Sequence, residues 1–230
     1  MSALVPRAVL FDLDGTLVDS ERVYGHALAR ALAEGQGLAL TDEDTGFIIG
    51  RSWVAIDEHL RGRYPALRWT RDEIIAACAA TAATLFREQG LPVLPGALAA
   101  VARFADRRRG LVTGSARQEA AHVLGHLGLL DLFEVRLCAE DVARSKPAPD
   151  GYLAACAALG VAPAEALVIE DSASGIAAAR AAGCAVIAVR AGNFSGQDQS
   201  AAHLIVDTLD EITVEVAAAV AQAAGRGYGD

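Results

Sequence analysis

Two aspartates near the start of the chain have a spacing that suits acid–base and cation chemistry. They stand in Phe11-Asp12-Leu13-Asp14-Gly15-Thr16, where Asp12 ends a short apolar run and Gly15 permits a sharp turn. Neighbouring carboxylates repel each other, so the pair needs a cation, and Mg²⁺ with oxygen ligands is the natural candidate. An EF-hand loop does not fit, because its register would put Leu10 at the first ligand position.

Three further segments carry complementary side chains. Thr113-Gly114-Ser115 closes an apolar run and opens a helical stretch, so its hydroxyl and backbone N–H groups suit an anion. Lys146 stands before Pro147, and the prolines there stiffen the segment that carries its ammonium group. Glu170-Asp171 ends another apolar run and adds two carboxylates. Because these segments lie at successive strand ends and their charges are complementary, they predict one shared site.

The elements that must position these side chains follow an alternating pattern. Short apolar runs rich in β-branched residues alternate with alanine-rich helical stretches, which indicates an α/β fold with a parallel sheet flanked by helices. The predicted strands cover residues 8–11, 110–113, 135–138, 166–169, 185–189 and 203–206. The predicted helices cover residues 96–106, 116–127, 149–159, 174–182 and 209–223. Gly128, Gly160 and Gly183 follow three of these helices, where left-handed caps favour glycine.

One stretch breaks the alternation. From about residue 17 to residue 90 the pattern is helical, with helices predicted over 21–34, 51–62 and 71–89 and helix starts at Thr41-Asp42 and Thr70-Arg71. We therefore expect two domains: residues 1–16 with 91–230 form the catalytic sheet core, and residues 17–90 form a helical insertion. Ligands bind at the carboxyl edge of open α/β sheets, so an insertion after the first strand is expected to serve substrate binding.

The composition limits the classes of function. Of 230 residues, 53% are hydrophobic and 21% charged, and the formal charge is −9. This balance is typical of a globular chain and argues against non-specific nucleic-acid binding. No uninterrupted apolar run approaches the ~20 residues of a membrane span. We expect neither nucleic-acid nor membrane partners, and a monomer or weak homodimer.

The cysteines and the basic residues also have simple interpretations. Four cysteines are scattered among apolar residues, which is typical of buried thiols in a reducing cytoplasm; they are Cys78, Cys138, Cys156 and Cys184. No secretory signal is visible at the start, so we expect a cytoplasmic protein. The basic cluster Arg107-Arg108-Arg109 is predicted to form the cationic last turn of a helix.

Taken in order, the four segments resemble the signature of the haloacid dehalogenase-like hydrolase superfamily. The residues that carry the resemblance are Asp12-Leu13-Asp14-Gly15-Thr16, Thr113-Gly114-Ser115, Lys146-Pro147 and Glu170-Asp171-Ser172. The residues from Asp12 to Ser20 and Lys146-Pro147-Ala148-Pro149 are especially similar to its beta-phosphoglucomutase-like and phosphoglycolate phosphatase-like branch. The resemblance spans residues 7–206 and implies a Rossmann-like parallel sheet core with an inserted all-helical cap domain.

The resemblance implies a role for each motif residue. Asp12 would be the nucleophile that forms an aspartyl-phosphate, and Asp14 would be the general acid and base. Thr113, Gly114 and Ser115 would hold the phosphoryl oxygens, while Lys146 would neutralise negative charge.

The same resemblance implies a metal site. Mg²⁺ would lie among Asp12, the backbone carbonyl of Asp14 and Asp171, with Glu170 beside it or acting through water. Such a site needs no basic protein surface, because the ion, the lysine and the helix N-termini make the local field positive.

Differences from other members of the family limit which reactions this chain is expected to catalyse. True dehalogenases replace the second aspartate, so Asp14 favours phosphate over carbon–halogen chemistry. Phosphonatase-type members use a cap lysine, and residues 21–28 contain none. Beta-phosphoglucomutases carry a histidine ten residues after the acid–base aspartate, where this chain has Tyr24, and His26 points to another side of the helix. We predict a hydrolase, with a phosphomutase as the alternative.

Substrate choice is expected to come from the predicted cap. Gly50-Arg51-Ser52 occupies the place where relatives contact substrate. Arg51 would pair with a second phosphate or a carboxylate, or would stand solvated at a helix start. Glu21 and Tyr24 would face the leaving group, where a sugar hydroxyl would suit each of them.

Other classes of protein account for fewer of these features. A phospho-accepting signalling module also uses an aspartate, Mg²⁺, a threonine and a lysine, but its acceptor lies mid-chain and it lacks the long helical insertion. A dinucleotide-binding module is disfavoured because no Gly-x-Gly-x-x-Gly follows a strand. A zinc site at His122 and His126 is disfavoured because no third ligand is within sequence reach.

The sequence thus predicts a Mg²⁺-dependent phosphatase acting on a small phosphorylated metabolite, with a sugar phosphate favoured. Phosphoglycolate, hexose phosphates and phosphogluconate all stay open as substrates, because loops of the predicted cap set specificity.

Overall fold

A computed structural model describes residues 5–49, 51 and 53–226 of the chain. The chain divides into two compact units, Met1–Val18 with Val93–Asp230, and Asp19–Pro92. We call them the sheet unit and the helical unit. Their bounds lie two residues from those expected from the sequence, while a role of the helical unit as a substrate cap stays a prediction.

Within the described residues, the sheet unit contains six parallel strands. They are β1 (Ala8–Phe11), β2 (Arg108–Val112), β3 (Val135–Leu137), β4 (Ala166–Glu170), β5 (Ala185–Val189) and β6 (Leu204–Val206). The strand order is β3-β2-β1-β4-β5-β6. Every residue of β1, β4 and β5 is buried, which explains their continuous apolar sequences. Phe11 pairs with both Leu111 and Ile169, so the three central strands end nearly level.

Helices make up the helical unit and flank the sheet of the other unit. Those of the helical unit are α1 (Ser20–Gln36), α2 (Asp42–Ile48), α3 (Trp53–Arg63) and α4 (Arg71–Gln89). Those of the sheet unit are α5 (Ala97–Arg103), α6 (Arg117–Leu127), α7 (Asp150–Leu159), α8 (Ala173–Ala182) and α9 (Val214–Arg226). The predicted α/β class is confirmed.

Glycines end three helices as predicted. Gly128, Gly160 and Gly183 cap α6, α7 and α8 with φ values of 67°, 62° and 84°. Their backbone N–H groups donate to carbonyls of the last helical turn. This left-handed conformation costs glycine nothing, so the chain can leave each helix and enter the next strand.

The helical unit is built around its own apolar core. Leu28 and Leu32 of α1 and Ile74, Cys78 and Phe86 of α4 belong to one buried cluster. The spacing of these residues places them on one face of each helix, as helical periodicity requires. Only the start of α2, at Thr41-Asp42, was predicted. The helix opens with a capping box in which the side chains of Thr41 and Asp44 each accept from the other residue's backbone N–H.

The prediction for the basic cluster is wrong. α5 ends at Arg103, and Arg108 and Arg109 belong to β2. Arg108 donates to Glu134 Oε2 at 3.0 Å, and Arg109 donates to the carbonyl of Val101 at 3.1 Å. The two charges are therefore tolerated in a sheet because they lie at the start of the strand, where their side chains find partners.

The chain enters and leaves the insertion through adjacent residues. Val18 and Val93 form an isolated antiparallel bridge, and the N–H of Leu94 donates to the carbonyl of Leu17 at 3.0 Å. Within the helical unit, the N–H of Asp19 donates to the carbonyl of Pro92 at 2.8 Å. The two crossing segments thus run side by side.

The cysteines are buried, as expected of small apolar side chains, and they are unpaired in the structure. The Sγ atoms of Cys156 and Cys184 lie 4.0 Å apart in the apolar cluster between α7, α8 and the sheet. Among the helices that the structure describes, none combines the length and hydropathy that crossing a bilayer requires.

Candidate active site

The carboxyl ends of β1, β2 and β4 bring the predicted motifs to one edge of the sheet. Asp12 follows β1, Thr113 follows β2, Glu170 ends β4 and Asp171 follows it. Because β1 lies between β2 and β4 and all three are parallel, their ends are neighbours. The loop before α7 brings Lys146 to the same edge.

Lys146 joins two of the carboxylates. Its Nζ donates to Asp12 Oδ1 at 2.5 Å, to Glu170 Oε1 at 2.6 Å and to the carbonyl of Val112 at 3.1 Å. Its side chain is only 16% exposed. Burial disfavours the ammonium, but the charges of Asp12 and Glu170 outweigh this effect and raise the pKa of Lys146 well above its ordinary value. The lysine is therefore a fixed positive charge.

Glu170 is the most heavily anchored carboxylate of the site. Its Oε1 accepts from Lys146 and, at 3.0 Å, from the hydroxyl of Tyr152. Its Oε2 accepts from the N–H of Asp171 and from the N–H and hydroxyl of Ser172, each at 2.9 Å. Burial opposes ionisation, but Lys146 and these donors lower the pKa of Glu170. Glu170 is thus an ionised carboxylate with both oxygens engaged.

Two glycines leave room for the carboxylates. Gly15 has a φ of 82°, and a Cβ there would lie 2.3 Å from Asp171 Oδ2. At Gly175, in the first turn of α8, a Cβ would lie 1.6 Å from Glu170 Oε1. Both positions therefore require glycine for the carboxylates to pack against the backbone.

Asp12, Glu170 and Asp171 form the group of acidic residues that fits a metal ion in the described part of the chain. All three are buried, and one oxygen from each lies within 4.8 Å of the others. Burial and the neighbouring carboxylates raise the pKa of Asp171 well above its ordinary value, although the hydroxyl of Thr16 donates to it at 3.0 Å.

The pKa of Asp12 is also well above its ordinary value, because burial and the charge of Glu170 outweigh the effect of Lys146. These carboxyl groups resist ionisation because they are buried close to one another. A bound divalent cation would offset that repulsion and stabilise the ionised carboxylates, and Mg²⁺ prefers such oxygen ligands. The residues present therefore fit the predicted cation.

Asp14 lies beside the residues predicted to hold phosphate. Its Oδ2 accepts from the hydroxyl of Ser115 at 2.5 Å and, more weakly, from that of Thr113 at 3.4 Å. The hydroxyl oxygen of Thr113 also accepts from the N–H of Ser115 at 3.0 Å. Gly114, between them, is exposed. The structure therefore brings the predicted acid–base residue and the predicted phosphate loop into direct contact.

The predicted substrate residues of the insertion lie in the helical unit. Tyr24 packs edge-on against Phe86, with ring centroids 6.1 Å apart. The exposed Arg51 places its guanidinium carbon 4.1 Å from the centroid of the Phe47 ring. The side chain of Glu21, together with Gly50 and Ser52, falls outside what the structure describes.

Some residues of the site were missed by sequence reasoning. Tyr152, a fully buried side chain of α7, holds Glu170. Gln199, in the loop after β5, donates to the carbonyl of Asp171 at 2.6 Å. Thr16 belongs to the first motif, and its hydroxyl, a possible donor to a nearby carboxylate, was the only sequence signal for its contact with Asp171. Tyr152 lies in a helix and Gln199 in a loop, and the local sequence pattern of neither segment indicates a contact with the site.

Comparison with known proteins identifies the family. A family model described as haloacid dehalogenase-like hydrolase matches residues 6–183. Validoxylamine A 7'-phosphate phosphatase from Streptomyces hygroscopicus subsp. limoneus is 37% identical over 77% of this chain and 82% of its own. Hexitol phosphatase A from Escherichia coli strain K12 is 34% identical over 90% of this chain and 94% of its own. The crystal structure of CbbY from Rhodobacter sphaeroides in complex with phosphate has a TM-score of 0.76 and 25% identity, covering 90% of this chain and 96% of that one.

The chain belongs to the haloacid dehalogenase-like hydrolases and is an enzyme. A phosphoglycolate phosphatase from Yersinia pseudotuberculosis is 33% identical over 86% of this chain and 86% of its own, which agrees with the branch that the motifs indicated. The resemblance stated from the sequence and the Rossmann-like α/β fold are both confirmed.

Proposed function

We propose that this hydrolase is a Mg²⁺-dependent phosphatase that cleaves a small phosphorylated metabolite through an aspartyl-phosphate on Asp12. The observation that carries the proposal is the contact of the Lys146 ammonium with Asp12 Oδ1 at 2.5 Å, beside the acidic cluster. A nucleophilic carboxylate, a fixed ammonium and a second aspartate are the groups that phosphoryl transfer needs. The phosphatases among its relatives support a phosphoric monoester as the substrate.

The chemistry proceeds in two displacements at phosphorus. In the first, an oxygen of Asp12 bonds to phosphorus while the bond to the ester oxygen breaks, and Asp14 gives its proton to the leaving alcohol. In the second, Asp14 takes a proton from water, the water oxygen bonds to phosphorus, and the bond to Asp12 breaks. Phosphate is released, and both aspartates return to their starting states.

The remaining residues of the site bind and orient the phosphate group. Thr113 and Ser115 would turn their hydroxyls from Asp14 to phosphoryl oxygens, and the backbone N–H of the exposed Gly114 would add a third donor. Lys146 would neutralise the charge that phosphate brings close to Asp12. Glu170, with both oxygens engaged, would keep the ammonium in place.

The proposed Mg²⁺ would be held by Asp12, the backbone carbonyl of Asp14 and Asp171, with Glu170 next to it. When bound, the ion supplies positive charge that offsets the repulsion between phosphate and the carboxylates. Its binding would also favour the ionised forms of Asp12 and Asp171, whose pKa values burial raises.

We favour a sugar or polyol phosphate as the substrate class. The names of three relatives describe phosphatases of validoxylamine A 7'-phosphate, hexitol phosphates and N-acetylmuramic acid 6-phosphate, which are polyhydroxylated molecules. In this proposal the helical unit is the substrate cap, where Glu21, Tyr24 and Ser52 contact the leaving group and Arg51 pairs with an anionic substituent. We further propose that the enzyme works in the cytoplasm.

A panel of phosphorylated sugars, polyols and small acids tests the proposal through phosphate release. We expect turnover with Mg²⁺ and loss of turnover with EDTA, restored by added Mg²⁺. Asp12→Asn should lower kcat at least about 1,000-fold, because an amide cannot attack phosphorus. Asp207→Asn, which removes a surface carboxylate paired with Arg190, is the matched control and should keep full activity.

Four outcomes would contradict parts of this proposal. If Asp12→Asn were as active as wild type, Asp12 would be excluded as the nucleophile. Self-phosphorylation without turnover would favour the phospho-accepting signalling module, and interconversion of sugar phosphates without net phosphate release would favour the phosphomutase. An Arg51→Ala variant with unchanged kcat/KM for every substrate would exclude Arg51 from substrate binding.

A further inference from the structure

The loop after β5, residues 190–200, carries a buried glutamine that the chemistry above does not use. Gln199 is only 6% exposed, although it stands in a segment without regular structure. Burying an amide is unfavourable unless its polar atoms find partners. Its partners therefore show what the residue does.

The amide of Gln199 spans two strand ends. Its Nε2 donates to the carbonyl of Asp171 at 2.6 Å and to the carbonyl of Val189 at 2.8 Å. Asp171 follows β4 and Val189 ends β5, so one side chain links the backbones of two neighbouring strands at their carboxyl ends. The amide group has two N–H donors, and both are used.

The same loop touches the other acidic turn. A Cβ at Gly192 would lie 1.7 Å from the carbonyl oxygen of Gly15, so the two backbones are in close contact. Gly15 stands next to Asp14 in the turn that follows Asp12. The loop therefore contacts the backbone of both segments that carry the metal-binding carboxylates.

Hydrogen bonds within the loop hold it in shape. Asn193 accepts from the N–H of Gln197 at 2.7 Å and donates to the carbonyl of Gln197 at 2.8 Å. Gln197 Oε1 accepts from the N–H of Ala173, the first residue of α8, at 3.0 Å. The backbone N–H of Arg190 donates to the carbonyl of Val206 in β6 at 2.9 Å. A loop fixed in this way can transmit a constraint to Asp171.

We infer that Gln199 is a positioning residue for the metal site. By holding the carbonyl of Asp171, it fixes the backbone from which the Asp171 carboxylate reaches toward Asp12 and Glu170. Loss of such outer partners typically weakens metal binding 10–100-fold, because the ligands must then be ordered by the ion itself. This inference rests on the proposed function, since it takes Mg²⁺ to bind at these carboxylates.

The test is Gln199→Met, which keeps the length of the side chain and removes both N–H donors. Binding of Mn²⁺ to the protein without substrate is measured by calorimetry, and the Mg²⁺ concentration for half-maximal activity is measured in parallel. We expect Mn²⁺ affinity to fall about 10-fold and the Mg²⁺ requirement to rise by the same factor. At saturating Mg²⁺, KM should stay within about two-fold of wild type.

Gln36→Met is the matched control. Gln36 Oε1 accepts from the N–H of Arg68 at 3.0 Å in the helical unit. This variant also replaces a glutamine that binds the backbone, and its Mn²⁺ affinity should equal that of wild type. If Gln199→Met does not fold, Gln199→Asn retains the amide on a shorter side chain, and we expect a smaller loss of Mn²⁺ affinity.

The inference would be overturned if folded Gln199→Met bound Mn²⁺ as tightly as wild type, even if its melting temperature fell. If Gln199→Met does not fold, the same criterion applies to Gln199→Asn. A wild type that binds no Mn²⁺ would overturn both the inference and the metal part of the proposed function. A wild type that binds Mn²⁺ but hydrolyses no phosphate ester would contradict the proposed function alone, because the binding comparison does not need turnover.

Discussion

Lys146 lies between two carboxylates that differ in how they are held. Glu170 accepts five hydrogen bonds through its two oxygens, whereas Asp12 accepts the lysine through Oδ1. A carboxylate with both oxygens engaged is a poor nucleophile, because attack would break several hydrogen bonds at once. The hydrogen-bond pattern therefore supports the proposed roles, in which Glu170 holds the lysine and Asp12 attacks phosphorus.

Glu119, in the first turn of α6, gives a prediction for stability against pH. Burial and, to a lesser degree, the charge of Asp14 raise the pKa of Glu119 from 4.5 to about 7. Between these values the unfolded chain releases the proton while the folded chain retains it, so stability falls as the pH rises and levels off above about pH 7. Glu119→Gln should therefore be more stable than wild type by about 1–2 kcal/mol at pH 8, and by little at pH 4.

Urea unfolding at several pH values measures this difference. Glu134→Gln, which removes the surface carboxylate paired with Arg108, controls for the loss of one negative charge. A stability difference between Glu119→Gln and wild type that stayed constant from pH 4 to pH 8 would contradict the prediction.

At the scale of elements, the sequence predicted the sheet better than the ends of the helices. β1, β4 and β5 are buried on both faces, so their apolar runs stand out and their limits match within one residue. The helix expected over residues 96–106 ends at Arg103, and the helix expected from residue 209 starts at Val214 after a short turn. Helix ends depend on tertiary hydrogen bonds, such as those of Arg103 with the carbonyls of Leu209 and Ile212, which no local pattern shows.

The capping box of α2 is expected to contribute to the stability of the protein. Thr41 Oγ1 accepts from the N–H of Asp44 at 3.2 Å, and Asp44 Oδ2 accepts from the N–H and hydroxyl of Thr41 at 3.0 Å and 2.7 Å. Thr41→Ala removes the hydroxyl that satisfies a free N–H of the first turn and supports the buried carboxylate. We expect a loss of about 1–2 kcal/mol in the free energy of unfolding, measured with urea and circular dichroism.

Thr84→Ala is the control for this cap. The Thr84 hydroxyl lies within α4 and donates to the carbonyl of Ala80 at 3.2 Å. Because alanine is a better helix former than threonine, this variant should be as stable as wild type or slightly more so. Equal losses in both variants would show that the cap contributes nothing.

On the scale of the whole molecule, the site combines residues from distant parts of the chain. The four motifs and their convergence could be predicted, because parallel strands place their carboxyl ends at one edge and each motif follows a strand. Tyr152 and Gln199 could not be predicted, because their roles depend on which helix and loop pack behind Glu170 and Asp171. Their sequence neighbours carry no chemical pattern that distinguishes them from ordinary core and loop residues.

The close contact between Gly192 and Gly15 leads to a testable prediction. The backbone of Gly192 contacts Gly15, and a Cβ would overlap the Gly15 carbonyl at 1.7 Å. Gly192→Ala should lower the free energy of unfolding by about 1–3 kcal/mol and reduce activity, because the turn between Asp12 and Thr16 must shift. Thermal unfolding and phosphate release measure the two effects.

Gly62→Ala is the matched control for this glycine. Gly62 lies in α3, and a Cβ there would meet no atom within 4 Å. Alanine in an open helical position stabilises the helix by up to about 1 kcal/mol. A Gly192→Ala variant as stable and active as Gly62→Ala would contradict the close packing of the two turns.

The bridge between Val18 and Val93 has a consequence for how this enzyme can be rebuilt. Since the polypeptide departs from the sheet unit and returns to it through paired residues, residues 19–92 form a cassette whose removal leaves two ends that a short glycine-serine linker can join. Closing so small a gap costs little chain entropy. Transplanting a cassette from a related hydrolase tests the proposed cap role: substrate preference should follow the cassette, while the proposed metal site, whose carboxylates all lie in the sheet unit, should bind Mn²⁺ as before.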